Sequence, residues 1–455
     1  MSDVGVAEAP AAGANVLRSP LEALGLGLAR AWADRYLRWA LALSFAALVL
    51  RALWVLYANP DPLDGRFDDT VFYDASARAL ANGKGFISFA QKPTAQWPIG
   101  YPGLIALIYV LFGQHLVAAK ALNVFLGAAT VLGVYFLGSK VFDKRVGLAA
   151  AALLAFFPSQ VFFSTLLMTE VLFTALLVLM AYLVARWTLE DPRPPAYRLL
   201  ALGVLMGYMA IVRGEGSVLI GGVVLLWWVV LRSWRRVLRP VSLLVAGVLL
   251  VIMPWTVRNL IQMDAPVLIS TAVGSALWQG HHQGVYDPND IPFPTKFYDR
   301  YSDVPYPRRE ILANNAAIRD ALDFIVHNPG EEARLLAKKA YHLFREDAIG
   351  LVWIEANGTR DSVPQSSEEQ LATVANAYYF VVLGWVALTV PFWFSLSDRR
   401  RLLLLVLLLV WTGNHLVFIP NPRYHFPLVP IFAILAAQGA LVLWGRLRAA
   451  RAKAS

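Results

Sequence analysis

Long apolar runs alternate with short polar gaps along most of this chain. The runs lie near Leu37–Leu56, Val117–Leu137, Val146–Leu167, Val171–Trp187, Leu199–Val212, Val218–Leu231, Val241–Val257, Tyr378–Phe394, Leu402–Ile419 and Pro427–Leu447. Most are continuous over roughly 17–25 residues, the length of a membrane-crossing helix, so the pattern predicts about ten spans. A β-barrel would instead show alternating strands of about 10 residues. Tyr101–Phe112 is apolar but short, which predicts an interfacial or re-entrant helix. Thr70–Ala81 has helical spacing and stops at Asn82-Gly83. Arg308–Arg345 reads as amphipathic helices broken at Asn328-Pro329-Gly330.

The polar gaps fall into two kinds. Every second one is basic: Lys140, Lys144 and Arg145; Arg186–Arg198; Arg232, Arg235, Arg236 and Arg239; Arg399-Arg400-Arg401; and the C-terminal tail. The positive-inside bias puts these gaps and both termini on the cytoplasmic side. The first span follows a polar leader with no convincing cleavage site, so it reads as retained. The expected layout is a cytoplasmic leader over 1–36, a transmembrane catalytic module over 37–257 with a first outward loop at 59–116, a long periplasmic loop over 258–376, helices over 377–447 and a basic tail at 448–455. The face opposite the basic gaps is then extracytoplasmic.

Composition agrees. Of 455 residues, 58% are hydrophobic and 16% charged, with a mean hydropathy of +0.54, which excludes an ordinary soluble domain and disorder. The net charge of +9 sits largely in short loops beside apolar runs, so anionic lipid headgroups rather than nucleic acid explain it. Without cysteine there is neither a disulfide framework nor a thiolate metal site.

The remaining gaps gather unlike groups on the opposite face: Asp68 and Asp69, Glu170, Arg213 with Glu215, Arg258, His281-His282 and Arg423. Adjacent carboxylates repel and raise one of the two pKa values, which suits a general base or a metal ligand; a helix cap for Thr70–Ala81 explains one of them. Glu170 is an isolated carboxylate within a long apolar stretch, a functional candidate by default. Arg213, Arg258 and Arg423 each end an outward run, and a guanidinium fork fits a phosphate, although any one alone reads as an interface anchor. Arg51, inside the first run, reads as a snorkelling residue. Lys92 lies in a proline-stiffened stretch and serves an anion or solvent. His281 and His282 suggest a loop role more than a shared metal or proton shuttle. Lys338, Lys339 and His342 suggest headgroup contact.

Taken in order, Asp68-Asp-Thr-Val-Phe-Tyr, Gly83-Lys-Gly-Phe, Pro98-Ile-Gly-Tyr-Pro, Phe157-Pro with Glu170, Pro254-Trp-Thr-Val-Arg-Asn259, Ser270-Thr, Trp278-Gln-Gly and Arg423-Tyr-His-Phe-Pro-Leu-Val-Pro430 resemble glycosyltransferase family 39. This is the protein O-mannosyltransferase and lipid A aminoarabinose transferase branch of the GT-C superfamily. The resemblance runs from about the first span to the last. It implies an all-α GT-C bundle, a polyprenyl-phosphate sugar donor and an aspartate base in the first outward loop. That aspartate lies four residues before a tyrosine, matching Asp69 before Tyr73, with Asp68 as alternate. Glu170 matches the second acidic position, and Lys92 and Arg258 match positions near the donor phosphate, beside Arg213 and Arg423. Tyr73, Tyr101, His281, His282, Tyr424 and His425 complete the expected substrate-binding set. Thr70 and Gln91 stand where relatives carry acids, which counts against the divalent metal that the resemblance allows.

The chemistry agrees with the name: displacing a polyprenyl phosphate from an anomeric carbon needs a base for the acceptor and cations for the leaving group. The expected acceptor is an envelope lipid, glycan or protein. The rival is a transporter or flippase of a lipid-linked glycan, which would bind near the midplane on broken helices.

Overall fold

The structure is a computed structural model that describes residues 33–58, 69–191, 193–282, 295–357 and 362–454. It is an all-α membrane bundle, as the apolar runs predict. Among the described residues, eight helices are long and apolar enough to cross a membrane, and a ninth span results if one bent pair counts as one. The remaining predicted run, Leu199–Val212, falls in a shorter apolar helix, Ala196–Val212.

In chain order the main helices are α1 (Arg35–Ala58), α2 (Asp69–Ala81), α3 (Gly100–Phe112), α4 (Leu116–Val141), α5 (Lys144–Ala155), α6 (Pro158–Phe162), α7 (Thr169–Leu183), α8 (Ala196–Val212), α9 (Val218–Leu231), α10 (Trp234–Met263), α11 (Ala272–Gly280), α12 (Arg308–His327), α13 (Pro329–Phe344), α14 (Ile349–Asn357), α15 (Gln365–Leu388), α16 (Arg399–Val417) and α17 (Val429–Ala454), with short helices at Thr295–Asp299 and Val390–Trp393. A 3₁₀ turn, Pro422–Leu428, leads into α17.

Between helices in a membrane, close packing rather than the hydrophobic effect supplies adhesion, so small residues mark the seams. The α8–α10 seam shows this. A Cβ on Gly203 would strike the Leu244 carbonyl, and one on Gly247 the Leu200 carbonyl. Two polar caps set helix starts: the Asp143 carboxylate accepts the Arg145 and Val146 amides, and Asp398 accepts those of Arg400 and Arg401.

One span is broken on purpose. The Lys144–Ala155 segment and the Pro158–Thr165 segment meet at 62°, because proline cannot continue the intrahelical ladder. The break frees carbonyls, and buried side chains take them up. Arg51 donates to the Ala155 and Ala47 carbonyls, and Asn123 donates to the Leu166 carbonyl at 2.7 Å. Arg51 is therefore not a snorkelling residue: it is 1% exposed and turned inward, in space left by Gly127. The extended stretch after the break ends at Met168, which starts α7 with Glu170 in its first turn.

The short helix α3 and the amphipathic helices α12 and α13 appear where the sequence places them. Helix α10 runs past the expected span end to Met263, and α15 begins at Gln365, inside the expected loop.

Candidate active site

Four helix ends and one loop meet at the bundle end opposite the basic gaps. Asp69 is the first residue of α2, and its carboxylate accepts a bond from Trp97 Nε1 at 3.0 Å. Arg423 donates to the other carboxylate oxygen at 2.8 Å. Glu170 is 1% exposed and receives Arg213 at 2.8 Å, with Thr169 also donating to it. Arg423 Nε stands 3.9 Å from Glu170, and Arg213 reaches Glu215 at 3.6 Å. Acids and arginines thus alternate in a chain: Asp69, Arg423, Glu170, Arg213, Glu215.

Aromatic rings box this chain in. The Arg423 guanidinium lies 4.9 Å from the Trp353 ring and 5.1 Å from Tyr424, and Arg213 lies 5.3 Å from Tyr424. Tyr73, one helical turn after Asp69, packs edge-on to Tyr101 at 5.2 Å. His415 stacks on Tyr424 at 4.6 Å. Asn421 accepts the Arg423 amide at 3.0 Å, which orients the turn that presents Arg423 and Tyr424.

The two carboxylates differ in environment. Burial pushes the Asp69 carboxyl up, but the Arg423 charge and the bonds from Arg423 and Trp97 outweigh it and hold the group below the usual carboxylate range. Its side chain remains 21% exposed, against 1% for Glu170. Asp69 is therefore an ionised carboxylate that solvent can reach, whereas Glu170 is enclosed and already paired.

A loop over 84–97 carries Trp97 to this site, and it is clamped from both sides. Arg258 donates to the carbonyls of Phe86 at 2.5 Å and Thr94 at 2.7 Å and lies 4.9 Å from the Trp255 ring. Glu310 of α12, 1% exposed, accepts from Thr94 at 2.7 Å, the Ala95 amide at 3.0 Å and Thr271 at 2.6 Å. Burial raises the Glu310 carboxyl, and these bonds only partly offset it.

Of the expected site residues, the structure joins Asp69, Tyr73, Tyr101, Glu170, Arg213, Arg423 and Tyr424. Asp68 lies outside the described residues. Arg258 faces loop carbonyls rather than the cluster, and Lys92 is exposed on that loop. His425 is fully buried and points away, bonding Asp347 at 2.9 Å and the Leu343 carbonyl at 2.7 Å. His281 bonds Glu332 at 2.8 Å and Lys339 at 3.2 Å, while His282 packs 4.7 Å from Trp278. Lys339 is buried, not on a lipid-facing surface, and burial lowers its pKa to about 8.

Sequence reasoning missed Trp97, Trp353 and His415. An ionisable residue within the last-but-one apolar run, as His415 is, carries that signal by itself. The tryptophans carry none, since only tertiary contact distinguishes them from interface anchors.

A divalent metal does not fit the cluster as built. Each carboxylate already holds an arginine, and among the described residues no three His, Asp or Glu side chains converge.

Residues 96–257, just over a third of the chain, match the family model for dolichyl-phosphate-mannose-protein mannosyltransferase. No curated protein matches. The chain superposes on the apo oligosaccharyltransferase of Archaeoglobus fulgidus with a TM-score of 0.55 and 15% identity, covering 93% of this chain and 52% of that one. The same organism's AglB, in complex with an inhibitory peptide and a dolichol-phosphate, gives a TM-score of 0.51 and 15% identity, covering 90% of this chain and 51% of that one. The chain thus spans about half the length of these neighbours. These matches show that the chain shares the membrane-bundle fold of these oligosaccharyltransferases and that residues 96–257 are similar to the mannosyltransferase family.

Proposed function

We propose that this chain is an inverting glycosyltransferase that moves one sugar from a polyprenyl-phosphate-linked donor to an envelope acceptor, whether lipid, glycan or protein. The observation that carries this reading is the alternating chain of Asp69, Arg423, Glu170 and Arg213 at one end of an apolar bundle. A donor with its tail in the bilayer presents its phosphate and sugar at that depth. The mannosyltransferase match over residues 96–257 and the dolichol-phosphate held by AglB support the donor class.

In this reading Asp69 accepts the proton of the acceptor hydroxyl as its oxygen bonds the anomeric carbon. The bond from that carbon to the phosphate oxygen breaks, and the electron pair leaves with the polyprenyl phosphate. Arg423 and Arg213 balance the added negative charge on the leaving group, as fixed charges aimed where charge develops. Glu170 holds both arginines in place rather than acting as a second base. Tyr73, Tyr101 and Tyr424 wall the sugar, and Lys92 reaches the phosphate from the clamped loop. The site faces the periplasm from an inner membrane, with both termini cytoplasmic.

The test is sugar release from a labelled polyprenyl-phosphate donor by purified protein. Asp69→Asn is expected to lose about 10²–10⁴-fold in turnover, the range for a general base. A folded Asp69→Asn protein with full turnover would end the assignment. Donor translocation without sugar transfer would select a flippase instead.

A further inference from the structure

The other end of the same helices holds a cavity that sugar transfer does not use. The helical segment carrying Glu170 continues through Thr188, 20 residues in all, so its far end lies about 30 Å from the acid–arginine cluster. There a cavity of about 700 Å³ opens between the ends of α8, α9 and α10. Four guanidinium residues line it, Arg193, Arg235, Arg236 and Arg239, over a wall that includes Thr188 and Trp227.

Three features give this cavity a sign and a depth. First, its charge is uncompensated. None of the four arginines forms an ion pair with a carboxylate among the described residues, and Arg239 meets only the Pro194 carbonyl, at 3.2 Å. Three of them stand in the first two turns of α10, whose first turn holds no acid. Cations at a helix N-terminus oppose its dipole, and all four side chains are exposed, so an anion that enters the cavity meets them unpaired. Second, the wall is built. Trp227, 3% exposed, donates from Nε1 to Thr188 at 3.1 Å, and Thr188 closes a π-helical turn over Val184–Thr188. Such turns are common at functional sites. Arg232 takes a left-handed conformation at φ 48°, and this turns the chain so that α10 begins beside α9. Third, the neighbouring surface is lipid-facing. Trp234 and Leu238 are 62% and 65% exposed, and Trp228 packs 5.6 Å from Trp234. Paired tryptophans of this kind sit at headgroup level.

We infer that this cavity binds the phosphate of an anionic membrane lipid, on the bilayer surface opposite the acid–arginine cluster. Guanidinium forks supply bidentate donors to the phosphate oxygens. The exposed Trp234 and Leu238 lie along the acyl chains.

The test is native mass spectrometry of the purified full chain, equilibrated with dioleoyl phosphatidylglycerol or dioleoyl phosphatidylcholine. Wild type is expected to retain phosphatidylglycerol preferentially. The triple variant Arg235→Gln, Arg236→Gln, Arg239→Gln should lose at least about tenfold of that preference, since each cation near an anionic lipid contributes about fivefold. Leu231→Trp fills the cavity with the charges kept, should lose the preference equally, and decides the matter if the triple variant does not fold. Unchanged preference in a folded variant overturns the inference, as does a wild type without preference. Displacement of the lipid by millimolar inorganic phosphate would mark a free-anion site and overturn the lipid assignment.

Discussion

At the scale of single residues, the cluster divides labour by environment. Asp69 and Glu170 are both carboxylates facing arginines, but only Asp69 keeps access to solvent. Because its folded pKa lies below the ordinary value, the ionised carboxylate persists through neutral pH and is lost only as pH falls through that lowered value. Turnover should therefore be flat around neutrality, with an acid limb below the usual carboxylate range. Trp97→Phe removes one bond to the charged form, so it should move that limb to higher pH with little change in the plateau; a pH–rate profile reads this. Glu170→Gln removes the charge opposite Arg213, leaving Glu215 at 3.6 Å as partial compensation. Breaking a buried pair costs about 3–5 kcal/mol, so the variant should melt lower and raise KM for the donor more than it lowers kcat. A normal melting temperature with turnover as low as that of Asp69→Asn would mean that Glu170 shares the base's role.

At the scale of elements, the site depends on a loop with no regular structure of its own. Arg258 takes its carbonyls from one side and Glu310 takes its hydroxyl and amide donors from the other. Replacing Glu310 by alanine orphans Thr94, the Ala95 amide and Thr271, each costing about 1–3 kcal/mol if left unpaired. Glu310→Ala should lower the melting temperature clearly and reduce turnover through Trp97, whereas Glu310→Gln, which keeps an acceptor oxygen, should recover much of both. His425 acts in a similar way on the turn that presents Arg423. Its bonds to Asp347 and the Leu343 carbonyl fasten that turn to the segment around α13. Arg258 and His425 were expected at the substrate because they adjoin the right motifs. Motif adjacency gives chain position, while the direction of a side chain follows from what packs beside it.

At the scale of the whole molecule, polarity is the organising feature. One bundle end collects acids, arginines and aromatics that pair among themselves; at the other, Glu190 and Asp191 hold several cations, but Arg193, Arg235, Arg236 and Arg239 form no ion pair among the described residues. A cysteine introduced at Ser302, which is exposed in the long loop, should react with an impermeant thiol reagent only from the side opposite the basic gaps. Labelling from the basic side would invert the orientation and exchange the faces assigned to the two sites.

The spans, the short helix at Gly100–Phe112, the broken amphipathic pair and the segregation of charge were legible in the chain itself. Hydropathy and helical periodicity are local properties, and a bilayer enforces them span by span. What only the tertiary structure decided is which ionisable groups meet. Asp69 and Arg423 are 354 positions apart, and the inward turn of Arg51 depends on a helix break more than a hundred residues away. Pairing over such separations is fixed by how helices pack, because an unpaired charge in a low-dielectric interior is too costly to persist and the fold must bring it a partner.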